Sequence, residues 1–188
     1  MSAQFTMILS CCLCLLVPKH LDSQAAQRTM YFLRDDTRHQ WCGYKSQTEW
    51  KTRLNETRSD VYGGVEYRGE SADKIFVTED DSTGDWAIID EYGLNQKAEV
   101  ESLKRTINYI PENESEEQIF RIRSGQATRI RSVLRTLRTG EVAPIQHEIY
   151  EFAAKSFPTS VHGLKFFPLM NMHQAVWASG QLCLIDPQ

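Results

Sequence analysis

Six arginines fall within 18 residues of this chain: Arg121, Arg123, Arg129, Arg131, Arg135 and Arg138, in the stretch "IFRIRSGQATRIRSVLRTLR" (119–138). A guanidinium is a planar fork of donors that matches phosphate, carboxylate or sulfate in bidentate fashion. Phe120 and Ile122 alternate with Arg121 and Arg123, "SGQ" turns the chain, and the alternation resumes at Arg129, Ile130 and Arg131. On such a hairpin Arg121, Arg123, Arg129 and Arg131 share one face and form a candidate anion-binding surface. The competing reading is a solvated face whose arginines pair with nearby acids, including those between Glu112 and Glu117.

Other residue types offer less. "EDDSTGD" (79–85) places four carboxylates around Gly84, yet their order departs from the acid–x–acid–x–acid–Gly pattern of an EF-hand calcium loop. A hairpin turn is expected there. His39, His147, His162 and His173 show no His-x3-His or His-Glu-x-x-His spacing, so no metal site is assigned. Ser124 in "RSGQA" lacks the first glycine of a nucleophile elbow. Cys42 in "QWCGY" follows His39 by three residues, which suits thiol chemistry only if the thiol is free. No carboxylate pair is marked out for glycoside hydrolysis. No cofactor motif is present.

The cysteines bear on the compartment. Three of five, Cys11, Cys12 and Cys14, sit in the uncharged apolar run from Phe5 to Val17. That run is too short to span a bilayer, which takes about 20 apolar residues, and it suits the apolar region of a secretory signal peptide. Ser23 and Ala25 are small residues at the −3 and −1 positions of a cut after Ala25. Residues 1–25 are therefore expected to be a signal peptide and 26–188 a single globular secreted or periplasmic domain. No zinc site is read from Cys11 and Cys14, because no second pair matches them.

Two cysteines then remain, and in an oxidising compartment Cys42 and Cys183 are expected to form a disulfide. "NET" at Asn55 and "NES" at Asn113 are N-glycosylation acceptors wherever the host uses them. The formal charge of −4 favours neither nucleic acid nor an anionic membrane as partner. After Val17 no apolar stretch approaches membrane length, so the mature chain has no expected transmembrane segment.

These residues need elements to position them. "RTMYFLR" (28–34) reads as a first strand. Ser46 with Glu49 is a capping-box pattern, and Trp50 and Leu54 fall on one face of the helix it would start over 46–57. Segments 63–69, 73–79, 85–94 and 102–110 are rich in β-branched and aromatic residues and alternate with turn chemistry. Trp86 is expected to face inward with Ile88. Segments 98–110 and 128–138 also carry helical stripes. "PENESEEQ" (111–118) reads as an acidic loop. Pro144 opens an expected helix over 144–157, and the apolar C-terminal region should pack on the sheet and deliver Cys183. The expected class is α+β: an antiparallel β-meander with two or three short helices.

"PTSVHGLKF" (158–166) resembles the Thr/Ser-x-His-Gly motif that precedes the first membrane helix of the epithelial and acid-sensing sodium channels. The long apolar helix of that family has no counterpart in "PLMNMHQAVWASGQ", so the resemblance carries no function over. With no nucleophile motif, metal spacing or phosphate loop, the residues favour a binding or structural protein over an enzyme. Its partner would be a protein or a small anionic or apolar ligand. Two alternatives remain. One is a small extracytoplasmic hydrolase using His147, His162 and His173 with carboxylates. The other is a hydrophobic-ligand carrier with an aromatic-lined cavity.

Overall fold

The alternation along the middle of the chain is realised as one antiparallel sheet. The computed structural model describes residues 27–144, 146 and 157–186. Among them are the strands β1 (Gln27–Asp35), β2 (Gln40–Tyr44), β3 (Val61–Arg68), β4 (Ser71–Asp80) and β5 (Trp86–Leu94). They continue as β6 (Val100–Tyr109), β7 (Glu114–Arg123), β8 (Gln126–Thr136) and β9 (Gln181–Ile185). Their order across the sheet is β8-β7-β6-β5-β4-β3-β1-β2-β9, and every pairing is antiparallel. From β3 to β8 neighbours in sequence are neighbours in space. Three short helices accompany the sheet: α1 (Gln47–Thr57), α2 (Phe167–Asn171) and α3 (His173–Ser179). The described fold is thus mostly sheet.

Period-two alternation sends Met30, Phe32, Val65, Ile75 and Leu103 to one face, where each is fully buried. The C-terminal region covers that face through Phe166, Leu169, Val176 and Trp177. Phe166 stacks on Phe32 with ring centroids 3.8 Å apart. Gly43 makes room for this layer, because a Cβ there would stand 3.2 Å from the Val176 side chain and press on it.

Among the described residues, one end of the opposite face is covered by a helix. There α1 lays Trp50 against Leu33, Cys42 and Tyr44. The Trp50 indole Nε1 donates to the Phe32 carbonyl at 3.0 Å. The helix starts where the capping pattern places it, with Ser46 Oγ accepting from the Glu49 amide at 3.3 Å. β9 pairs with β2 so that Cys42 and Cys183 stand directly opposite, and they are joined by a disulfide.

Several expectations need amending. The acidic loop expected over 111–118 is a turn followed by a strand: β7 already begins at Glu114. Its inward positions Glu116 and Gln118 are buried although polar, and this removed the apolar alternation on which the reading relied. β2 was not anticipated, because its five residues carry the disulfide and the Gly43 contact and show no clean alternation. Segment 98–110 is strand over Val100–Tyr109, and segment 128–138 is strand up to Thr136. The run 79–85 ends β4 and turns into β5. Trp86 packs with Ile88 and Ile107, as its alternation implies. The signal peptide expected at 1–25, His147 and nearly all of the helix expected over 144–157 lie outside the described residues.

Candidate functional site: the β7–β8 hairpin

β7 and β8 pair from Glu114↔Thr136 to Arg123↔Gln126 and are joined by a tight turn at Ser124 and Gly125, both with positive φ (50° and 75°). Along β7, Glu116, Gln118 and Ile122 point into the core face. Ile119, Arg121 and Arg123 therefore point outward. Arg131 stands opposite Ile119 and shares that outer face. Beyond it the register shifts at a bulge, and Arg129 pairs with Phe120 instead. The four arginines expected on one face are thus three on the outer face, Arg121, Arg123 and Arg131, with Arg129 offset by the bulge. An extra residue in one strand reverses the inside–outside alternation beyond it, which is why simple counting misplaced Arg129.

The outer face beside these arginines is a charge ladder that balances itself. Lys74 on β4 lies 2.6 Å from Glu91 on β5. Lys104 on β6 lies 3.5 Å from Glu91 and 3.4 Å from Glu117 on β7. The Glu91 carboxyl is held below the usual carboxylate range chiefly by its hydrogen bond from Lys74, against a smaller opposing effect of burial. Arg121, Arg123 and Arg131 are exposed and stand past the end of this ladder. They make no ion pair among the described residues.

The turn end of the hairpin borders a cleft of about 940 Å³. Val100, Ile122 and Phe167 give it apolar lining, and Lys97, Glu101 and Arg123 give it charges of both signs. His162 also lines it, with its ring 4.4 Å from that of Phe167.

Beneath the hairpin's inner face lies a polar constellation that sequence reasoning missed. Arg105 on β6 donates from Nε and Nη2 to the two carboxylate oxygens of Asp90 on β5, each at 2.7 Å. Glu116 accepts from Gln118 Nε2 at 2.9 Å and from the Ser132 hydroxyl of β8. The Arg105 guanidinium also lies over the Phe157 ring at 4.9 Å. Burial works against its charge, but the Asp90 carboxylate outweighs that and holds Arg105 above its ordinary value. Burial likewise drives the Tyr92 hydroxyl well above its ordinary pKa, and the adjacent Asp90 charge adds to this. One charged residue interrupts each otherwise apolar inward series, Ile88-Asp90-Tyr92 and Leu103-Arg105-Ile107. The opposite signs of those two interruptions were the available signal.

The other sequence-marked residues are dispersed. Asn55 is exposed on α1. Asn113 sits in the β6–β7 turn with φ 58°, and its Oδ1 accepts from the Arg138 amide at 3.1 Å. Cys42 is committed to its disulfide. His39 lies in the β1–β2 turn. His173 is held on α3: Nδ1 is 2.7 Å from the Met170 carbonyl, Nε2 is 3.1 Å from Glu70, and the ring stacks on Tyr67. Among the described residues no histidine is hydrogen-bonded to a serine, threonine or cysteine side chain. Nor, among them, does any group of three or more His, Cys, Asp or Glu residues stand ready to hold a metal ion. No helix among them is long and apolar enough to cross a membrane. No family model, no curated protein and no solved structure matches the chain.

Proposed function

We propose that this chain is an extracytoplasmic binding protein that holds an anionic partner on the outer face of the β7–β8 hairpin, through Arg121, Arg123 and Arg131. The observation that carries this reading is their lack of ion pairs among the described residues, beside a ladder in which Lys74, Glu91, Lys104 and Glu117 are all paired. Alternate residues on one strand face lie about 6–7 Å apart. Uncompensated like charges that close repel one another, and an anion that bridges them relieves the repulsion while accepting charge-assisted hydrogen bonds. The overall charge of −4 opposes indiscriminate attraction of polyanions, so recognition would be local to this face. The disulfide suits an oxidising compartment, reached through the signal peptide proposed at 1–25.

The test uses the intact chain and a sulfated oligosaccharide or an oligoglutamate as probe. Reversal of all three arginines (Arg121→Glu, Arg123→Glu, Arg131→Glu) should weaken binding by about tenfold or more and flatten its salt dependence. Lys45→Glu, Lys51→Glu and Lys165→Glu together impose the same change in net charge elsewhere and should leave most of the affinity. Equal loss in the two triple variants would sink the reading.

A second reading has its own observation. The cleft beside Arg123 combines apolar Val100, Ile122 and Phe167 with Lys97 and Arg123 and with Glu99 and Glu101, a lining that suits a small ligand with an apolar body whose acidic group is met at the Lys97 and Arg123 side. An anilinonaphthalene sulfonate probe should bind there and lose affinity in Ile122→Glu. The alternative of a hydrolase using His147, His162 and His173 gains no support from the placement of His162 and His173, which serve separate ring clusters.

A further inference from the structure

β9 closes the sheet at the end opposite β8, and among the described residues β2 is its one partner strand. Their register runs unbroken from Gln40↔Ile185 to Tyr44↔Gln181. Lys45 N donates to Gly180 O at 2.9 Å and Asp186 N donates to His39 O at 2.8 Å, so positions 180, 182, 184 and 186 are those whose backbone turns to β2. Cys42 and Cys183 are then a non-hydrogen-bonded pair, and their Cα separation of 4.1 Å is the close spacing of such pairs. Gln181, Cys183 and Ile185 therefore turn their N–H and C=O groups to the outer edge. Among the described residues only the Ser179 hydroxyl meets these groups, at the Gln181 carbonyl. Sheet edges are commonly blunted by charge or proline. "QLCLI" (181–185) has neither, and Ile185 is 83% exposed.

We propose that two copies of this chain pair β9 against β9, antiparallel, about a two-fold axis at Cys183. The occupant of the edge is a second copy, and the proposal stands apart from the arginine reading. "LCL" is symmetric about that axis. Cys183 exchanges both backbone bonds with its counterpart, and Leu182 of each copy faces Leu184 of the other, on the face where both already pack against the core. The ends of the edge supply charge complementarity. Lys45 lies beside Gly180 at one end and Asp186 lies at the other, on the same face by alternation. Neither makes an ion pair among the described residues, and Asp186 Oδ1 is buried with no hydrogen-bond partner. Pairing about Cys183 sets Asp186 of one copy opposite Gly180 of the other. Gly180 has no side chain, so Lys45, one strand further in, can reach across it over about 10 Å, two strand spacings. Within one copy Lys45 and Asp186 stand about 20 Å apart, six residues along an extended strand, and do not meet. A contact this short belongs to the weak, reversible class of association.

The experiment is sedimentation velocity of the oxidised full chain from about 1 μM to 1 mM, the range of weak association. A reversible monomer–dimer equilibrium is expected. Ile185→Pro removes an outward N–H, spares the bonds to β2 and suits an edge strand. It should weaken the dimer about tenfold or more. Lys45→Glu alone and Asp186→Lys alone should each weaken it about threefold or more. The two together restore opposite charges across the axis and should return the affinity to near that of the wild type. Amide exchange at high concentration should slow at Cys183 and Ile185, and not at Leu182 or Leu184, which β2 already protects. A chain that stays monomeric throughout the range overturns the proposal. So does a dimer indifferent to Ile185→Pro, and so does one that the charge swap fails to restore. If circular dichroism shows that Ile185→Pro disturbs the fold, the charge swap decides alone.

Discussion

Arg105 and Asp90 face each other across β6 and β5 with two parallel hydrogen bonds of 2.7 Å, and both are more than nine-tenths buried. Removing either charge from water costs several kcal/mol, and only the partner and its hydrogen bonds offset that cost. Arg105→Met alone therefore strands the Asp90 carboxylate, and a loss of about 3–5 kcal/mol is expected. The double variant Arg105→Met with Asp90→Leu leaves no buried charge, only the Tyr92 hydroxyl without its Asp90 acceptor, and should recover most of it. Urea unfolding of the wild type, both single variants and the double variant measures the coupling. Additive losses would show that the pair is not interacting as the geometry requires.

How far the sequence foretold this arrangement depends on what each strand buries. β3 to β6 bury mostly apolar residues at every second position, with Asp90 and Arg105 as the charged interruptions, so their existence and rough bounds are legible. The inward side of β7 carries Glu116 and Gln118, and polar residues at buried positions look like a loop until the partners Ser132 and Gln118 are placed around Glu116. The disulfide was legible from an even count of cysteines and an expected compartment. The β2–β9 pairing that aligns it was not, because it joins strands 141 residues apart at the disulfide. The arginines were legible as a cluster, but the bulge opposite Phe120 decided which of them face the same way.

Ser46 tests the most local of these readings. Its hydroxyl accepts from the Glu49 amide, which otherwise has no intrahelical partner at the start of α1. Ser46→Ala should lower stability by about 1 kcal/mol, and Ser46→Asp should keep it, since an aspartate caps as well and suits the positive end of the helix. Chemical denaturation midpoints check both. A neutral Ser46→Ala would mean that Trp50 packing alone holds the helix.

The disulfide closes a loop of 141 residues across the sheet. In the chain-entropy account, a cross-link of that span disfavours the unfolded chain by about 5 kcal/mol, although measured losses run from roughly 2 to 5. Replacing Cys42 and Cys183 by alanine should therefore lower stability within that range. It should also steepen the dependence of unfolding free energy on urea, because the uncrosslinked unfolded chain exposes more surface. Circular dichroism during urea titration reads both quantities. An unchanged slope with a large loss would place the effect in the folded state, in the packing of Cys42 against Trp50 and Leu33.

Glu91 links charge to pH. Its carboxylate lies between Lys74 at 2.6 Å and Lys104 at 3.5 Å, and the Lys74 hydrogen bond is the main reason its pKa falls below the usual carboxylate range. A carboxyl whose pKa is depressed by folding binds its proton more weakly in the folded chain than in the unfolded one. Its contribution is thus complete above the unfolded value, about 4.3 for glutamate, and is lost as pH falls through the lower folded value. Lys74 is raised in turn, chiefly by the same hydrogen bond, so its contribution is complete below the ordinary lysine range and fades as pH climbs past it. Glu91 is partly exposed, and pairs of this kind contribute about 0.2–1 kcal/mol. The stability gap between wild type and Glu91→Gln should accordingly be small at pH 6 and close towards zero as the solution is acidified below the folded pKa. Carboxyl NMR titration of the folded chain measures that pKa directly, and a Glu91 midpoint at or above the ordinary glutamate value would contradict the ladder.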